Sequence, residues 1–303
     1  MKRGASGFTL LELALVLLVI TVLLGGLAVP FTRQIETRRI AETQKAMATI
    51  QDALIGYAMT HKCQCVYDNN GTLLNQVPPT PPYCDPASCL QSNLNLANMT
   101  ITHPYLPCPD YQGNPQGPGQ EGRPPGGGAC TIPSNGNNNG HVGWLPWAAL
   151  GLPEADAWGD RYAYDVYLPY ADQFTGIDTT SPPQISSPQP GQIFVCNTSH
   201  GCPGVPSYVA SQVPAVVISY GPGGLGGFSA NNNQWAAMPD QTTAPDEYLN
   251  ATYGGSGNTR GYVSHPPTAA GSLGGQFDDL VTWLSWSALV NRVCPAGGCA
   301  PPP

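Results

Sequence analysis

The chain has 303 residues, of which only 10% are charged, and its 36 glycines and 33 prolines exclude a helical bundle or coiled coil. Hydrophobic residues still reach 41%, with ten cysteines and six tryptophans, so a core can form and wholesale disorder is excluded in favour of one loop-rich globular body. The charge is uneven: from Cys63 onward 15 acidic residues stand against four basic ones (Arg123, Arg161, Arg260, Arg292), which disfavours a broad basic face, and no nucleic-acid partner is expected.

Lys2 and Arg3 precede a nearly unbroken apolar run from Leu13 to Val29. As a helix, the 22 residues from Phe8 to Val29 extend about 33 Å, enough to cross a bilayer. A secretory signal has the same outline, and Gly26-Leu27-Ala28 offers a small-x-small site for cleavage after Ala28. Glu12 separates the two readings. A carboxylate at the head of an apolar run costs about 3 kcal/mol on insertion scales, so it calls for a partner that a disposable signal does not supply.

Helical spacing continues past Gly25-Gly26 and Pro30, which mark a kink. Ile40, Met47, Ile50, Leu54 and Ala58 recur on one face, opposite Arg39, Glu42, Lys45 and Asp52. That pattern predicts a helix from Phe8 to about Lys62, roughly 80 Å long at ideal rise, whose second half docks on a body.

The leader Met1 to Gly7 and the string Gly7-Phe8-Thr9-Leu10-Leu11-Glu12 resemble the type IV pilin superfamily. The resemblance implies a prepilin peptidase that cuts between Gly7 and Phe8 and methylates the new N-terminus. It also implies that Glu12 neutralises the terminal amine of a neighbouring subunit during assembly, with other pilins or pseudopilins and an inner-membrane assembly platform as partners.

After Lys62 the composition changes. Pro78-Pro79-Thr80-Pro81-Pro82 and the Gly113 to Gly128 segment cannot continue a helix or a central strand. All ten cysteines lie here, with no C-x-x-C pair and only five scattered histidines, so disulfides in an oxidising compartment are expected in preference to zinc. Loop lengths suggest Cys108 with Cys130, Cys196 with Cys202 and Cys294 with Cys299. Cys63, Cys65, Cys84 and Cys89 pair among themselves in one of three ways.

Strands are predicted at Tyr162 to Val166, where aromatic residues alternate with Ala163 and Asp165, at Gln192 to Cys196, at Val213 to Tyr220 and at Phe277 to Leu284. Ser285 reads as the N-cap of a short helix from Trp286 to Arg292. Gly221-Pro222-Gly223-Gly224-Leu225-Gly226 fits G-x-G-x-x-G but is followed by no helical pattern, and there is no G-x-S-x-G, so neither dinucleotide binding nor a nucleophile elbow is expected. Asp156 and Asp160 read as turn and capping residues.

The head is also similar to those of type II secretion pseudopilins, in Asp156 to Tyr162, in Ser219-Tyr220-Gly221 to Gly227 and in Asp279-Leu280-Val281-Thr282-Trp283. The major member of that family holds calcium, which puts Asp279 on a ligand position. Gly221-Pro222-Gly223-Gly224 lacks the loop aspartate, so Asp278 and Asp279 read first as solvated residues at a strand start, with Asp278 or carbonyls near Gly223 as substitutes for the missing ligand.

Together these readings give an α+β fold. A long N-terminal helix, its transmembrane half over 8–30 and its amphipathic half over 31–62, packs on a small antiparallel β-sheet head over 63–303 with long disulfide-braced loops. The expected protein is a single-pass inner-membrane, non-enzymatic subunit of a type IV pilus-like or secretion pseudopilus filament, its head periplasmic or on an extracellular filament. The alternatives are a secreted disulfide-rich hydrolase or binding module, and a minor tip pilin that binds a surface ligand or DNA.

Overall fold

Helix α1 (Leu10–Thr60) carries Glu12 in its first turn, where a carboxylate is favoured by the helix dipole. The computed structural model describes residues 10–74, 83–84, 86–89, 97, 100–112, 114–124, 127–130, 142–177, 192–202, 208–252, 254, 259–272 and 274–293, without the side chains of 22–32, 87–88 and 259. At the start of α1 the described side chains cover 12 residues, 10–21, about 18 Å of helix against a hydrocarbon core of about 30 Å. Among the described residues no helix is long and apolar enough to cross a membrane. The expected transmembrane half over 8–30 and the single-pass inner-membrane placement are corrected accordingly.

The chain divides into two compact units, Met1–Glu42 and Thr43–Pro303. Within the second, α1 turns Met47, Ile50, Leu54 and Ala58 inward at helical spacing, and all four are buried. Then follow β1 (Lys62–Val66), α2 (Pro86–Cys89), β2 (Thr100–Pro104), β3 (Val142–Trp144), α3 (Trp147–Leu150), β4 (Ala163–Val166), α4 (Leu168–Ala171), β5 (Gln192–Cys196) and β6 (Tyr208–Ala210). The order ends with β7 (Ala215–Ser219), β8 (Phe228–Ser229), β9 (Gln234–Trp235), α5 (Pro245–Ala251), β10 (Thr259–Val263), β11 (Leu280–Leu284) and α6 (Trp286–Val293).

These strands form several small sheets, which corrects the expected fold class of one antiparallel sheet. The largest has the order β11-β7-β4-β3, a second the order β10-β5-β6, and β1-β2 and β8-β9 are two-stranded. β10 runs parallel to β5. A parallel pair needs a long crossover, and the segment holding β6 to α5 supplies it.

The four-stranded sheet is covered on both faces, which is why β7 reads Ala-Val-Val-Ile-Ser and is buried throughout. Tyr164, Val166 and Val217 face one core with Ile50, Leu54, Leu284 and Leu289. Ala163, Val216 and Ile218 face another with Ile193, Tyr262 and Ala251. Gln51 Nε2 donates to Thr282 Oγ1 at 2.6 Å and to the Trp283 carbonyl at 2.8 Å, fixing the register of α1 on β11. Ser285 caps α6 as expected, its Oγ accepting from Ala288 N at 3.2 Å.

Among the described residues four disulfides brace the loops: Cys63–Cys84, Cys65–Cys89, Cys108–Cys130 and Cys196–Cys202. The last two are the pairs that loop length suggested, and the first two resolve the three-way choice. Cys294 and Cys299 lie outside the described residues. Disulfides of this number belong in an oxidising compartment. Replacing Cys108 and Cys130 together by alanine is expected to lower stability by about 3 kcal/mol, as the cross-link spans 22 residues. Denaturant midpoints of the oxidised proteins measure it, and equal midpoints would remove this bridge from the account.

Candidate metal centre

Of the residues singled out in the sequence, Gly7 and Phe8 lie outside the described ones, and Glu12 stands exposed near the start of α1. Asp156 is the turn residue it was expected to be. Its Oδ1 accepts from the backbone N–H groups of Trp158, Gly159 and Asp160 at 2.9–3.0 Å, and its Oδ2 accepts from Ser219 Oγ at 2.6 Å. The glycine-rich stretch after β7 forms turns leading into β8, with no helix behind it.

Asp279 differs from its first reading as a solvated residue, because it is 4% exposed. The cover comes from α5, which begins on Pro245 in its first turn and carries Asp246 and Glu247 there. Asn250, one turn on, donates from Nδ2 to Asp279 Oδ2 at 2.9 Å and to the Val263 carbonyl at 3.1 Å, while its Oδ1 accepts from Val263 N at 2.7 Å. This buried amide ties α5 to the end of β10 and aims the Asp279 carboxylate.

Glu247, Asp278 and Asp279 bring one carboxylate oxygen each to within 4.8 Å of one another. Glu247 is 2% exposed and Asp278 half-buried. Burial pushes Glu247 up to about 7, with the Asp278 charge adding to the rise and the hydrogen bond from Asp278 N opposing it. Burial likewise raises Asp279 well above the usual carboxylate range; the Asn250 hydrogen bond opposes the rise, and Glu247 and Asp278 add to it. Neither Glu247 nor Asp279 has an ion pair among the described residues.

Two glycines make the room. Gly221 has φ of +58°, a left-handed backbone that side chains disfavour, and a Cβ there would stand 2.2 Å from the Asp278 carbonyl oxygen. A Cβ on Gly223 would stand 2.8 Å from Asp278 Oδ2.

Calcium is the ion that the resemblance implies, and the donor set fits it: three carboxylates and no nitrogen or sulfur match a hard cation's preference. Glu247, Asp278 and Asp279 are the residues that would hold it, and the cation would supply charge balance between α5 and β11. Glu247 was not found in the sequence. The signal was Pro245-Asp246-Glu247, a proline followed by two acids in the manner of a first helical turn.

On the other side of α5, a groove of about 1230 Å3 is lined by the 197–201 loop, α5 and His265. Buried Asp246 forms its floor, accepting from Ser199 N at 2.7 Å and facing His265 Nε2 at 3.1 Å. His265 Nδ1 meets the Pro266 carbonyl at 2.7 Å, and the ring lies against Phe277 at a tilt of 31° with centroids 4.0 Å apart.

Comparison of the chain with models of known protein families, with characterised proteins and with solved structures returns no match.

Proposed function

We propose that this chain is a structural subunit of a helical filament of the type IV pilin or pseudopilin kind, cut by a prepilin peptidase between Gly7 and Phe8 and gathered into the filament through α1, with other pilins or pseudopilins as its partners. One observation carries the reading: Gly7, Phe8 and Glu12 stand in the processing pattern immediately before, and in the first turn of, a helix whose large apolar side chains are exposed, from Leu10 at 88% to Ile20 at 44%. A helix apolar all round needs cover, and equivalent helices of neighbouring subunits provide it. Repetition of one such contact by a fixed rotation and rise builds an open helical assembly.

Assembly requires no active site in this reading. The head contributes a disulfide-braced body in which three of four arginines are drawn inward, Arg123 and Arg260 being buried and Arg161 bonded to Glu154 at 2.5 Å. The outer surface is left acidic.

The test is the mass and N-terminal peptide of the protein purified from its own cells. A chain beginning at Phe8 and one methyl group heavier than its composition is the expected result. A chain beginning at Val29 would remove Glu12 with the rest of the apolar run and overturn the proposal in favour of a freely secreted module.

A further inference from the structure

We propose that the groove beside α5 binds a neutral oligosaccharide, with Tyr248 supplying the flat face against which a sugar ring packs and the side chains of Asn197 and Gln241 bonding its hydroxyl groups. The inference stands on the head and goes beyond the filament reading, since none of the lining residues belongs to α1.

The groove is built before any ligand arrives. The Cys196–Cys202 disulfide closes the 197–201 loop at both ends. Asp246, 1% exposed, ties this wall to the opposite one: its Oδ1 accepts from Ser199 N at 2.7 Å and from Thr198 Oγ1 at 3.4 Å, and its Oδ2 faces His265 Nε2 at 3.1 Å. Thr198 Oγ1 in turn accepts from His200 N at 3.3 Å. Gly274 lets the chain lie close over the floor, where a Cβ would stand 2.4 Å from Asp246 Oδ2. Walls held in this way lose little freedom when a ligand binds.

The lining selects the chemistry of the ligand. Among the described residues no lysine or arginine lines the groove, and its floor is a carboxylate, so a phosphate or other anion finds no fixed counter-charge. Leu249 is the one large aliphatic side chain there, which leaves an acyl chain without a surface to bury against. Besides Tyr248, the lining carries the hydroxyls and amides of Asn197, Thr198, Ser199, Gln241, Thr252 and Thr268. Thr252 Oγ1 donates to the Tyr248 carbonyl and Thr268 Oγ1 to the Gly275 carbonyl, each at 2.8 Å, so both oxygens are left as acceptors. The exposed amides of Asn197 and Gln241 have no hydrogen-bond partner among the described residues, and each both donates and accepts. Sugar hydroxyls need donors and acceptors together, whereas an anion needs donors alone and a cation acceptors alone. Tyr248, half-buried on α5, adds an aromatic face for the apolar side of a sugar ring. At about 1230 Å3 the groove exceeds the roughly 300–1,000 Å3 of small-molecule sites, which gives room for more than one sugar unit.

The experiment uses the full chain in a zwitterionic detergent free of sugar, titrated separately with maltotriose, cellotriose, mannotriose and tri-N-acetylchitotriose and read by ligand-observed NMR. Trigalacturonate serves as the anionic counterpart and tetraserine as the peptide one. At least one of the neutral trisaccharides should bind with a Kd of about 1 mM or tighter. Tyr248→Ala should weaken that binding at least about tenfold. Asn197→Ala and Gln241→Ala, at exposed positions that no described contact of the fold uses, should weaken it about threefold to tenfold each. Asn232→Ala, an exposed amide in the turn before β9, should leave it unchanged. No binding of any of the neutral trisaccharides up to about 10 mM would overturn the proposal, a concentration that fills even a site worth only about 3 kcal/mol. Tighter binding of trigalacturonate or tetraserine would overturn the assignment to a neutral sugar. Wild-type affinity in the double variant Asn197→Ala with Gln241→Ala would overturn the groove as the place where sugar binds.

Discussion

Arg260→Met is expected to destabilise the head by about 3–5 kcal/mol, the usual consequence of removing one partner from a buried ion pair. Arg260 and Asp165 are 4% and 2% exposed, and Arg260 Nε lies 2.8 Å from Asp165 Oδ2. Tyr262 OH donates to the same oxygen at 2.6 Å. Asp165 belongs to β4 and both partners to β10, so the pair bridges two sheets through the apolar layer between them. Without the guanidinium the carboxylate keeps the Tyr262 phenol and the Val166 backbone N–H but no compensating charge. In a head of this size the loss corresponds to a Tm lower by roughly 10 °C. Arg260→Met combined with Asp165→Leu should recover most of it, because removing both charges avoids the desolvation that each demands. A single variant as stable as the wild type would show that solvent reaches Asp165.

The same pair dictates a pH dependence. Burial raises Asp165 to about 6 from its ordinary 3.8, with Arg260 and the Tyr262 hydroxyl pulling against the rise. Between these two values the folded protein binds more protons than the unfolded chain, so stability falls as pH rises. The contribution is fully present below about pH 4 and is lost as pH rises through about 6, amounting to roughly 3 kcal/mol. Glu247, raised to about 7, adds a fall of the same sign up to neutrality when no cation is bound. Unfolding midpoints between pH 4 and 7 should therefore decline, and Asp165→Asn should flatten the lower part of the decline. An unchanged slope in Asp165→Asn would assign it elsewhere.

How far these features could be read in the sequence depended on how local their causes are. β7 announced itself because a strand covered on both faces is a continuous apolar run, and β5 because Ile193 to Cys196 form one. Asp165 read only as a residue alternating with the aromatic face of its strand, with no partner assigned. It turns inward because Arg260 and Tyr262 come to meet it from nearly a hundred residues away, and nothing near Asp165 encodes that. The pairing of Cys63 and Cys65 stayed open in the sequence because it depends on β1, where residues two apart share a face and reach Cys84 and Cys89 side by side. α5 was missed because seven residues give no period to recognise, and with it went the cover that buries Asp279 and the third carboxylate beside it. The parallel partner of β5 was beyond reach, since a strand's pattern tells how it is buried and not which strand lies next to it.

In the proposed filament, Glu12→Ala is expected to leave the head folded and to abolish or cripple incorporation. The substitution lies in the first turn of α1, within the unit Met1–Glu42, whereas the two buried cores belong to the other unit. Thermal unfolding and the head disulfides should thus be those of the wild type. Assembly is different, because packing apolar helices together is permissive about register: a stripe of Leu and Val slides by a turn at little cost. A carboxylate paired with the amine of a neighbour's Phe8 removes that freedom, since any other register leaves two charges buried and unpaired at about 3–5 kcal/mol. In the alanine variant the penalty against wrong registers disappears, and the terminal amine of each neighbour still has to be buried without an acceptor. Glu12→Gln separates these effects, for it keeps the hydrogen-bonding oxygen and loses the charge, and it should assemble better than alanine but worse than the wild type. The measurement is the amount of each variant in sheared or purified filaments relative to the cell-associated pool, with processing at Gly7 checked on the same samples. Wild-type incorporation of a correctly processed Glu12→Ala chain would show that register is fixed elsewhere and would sink the mechanism while leaving the processing site intact.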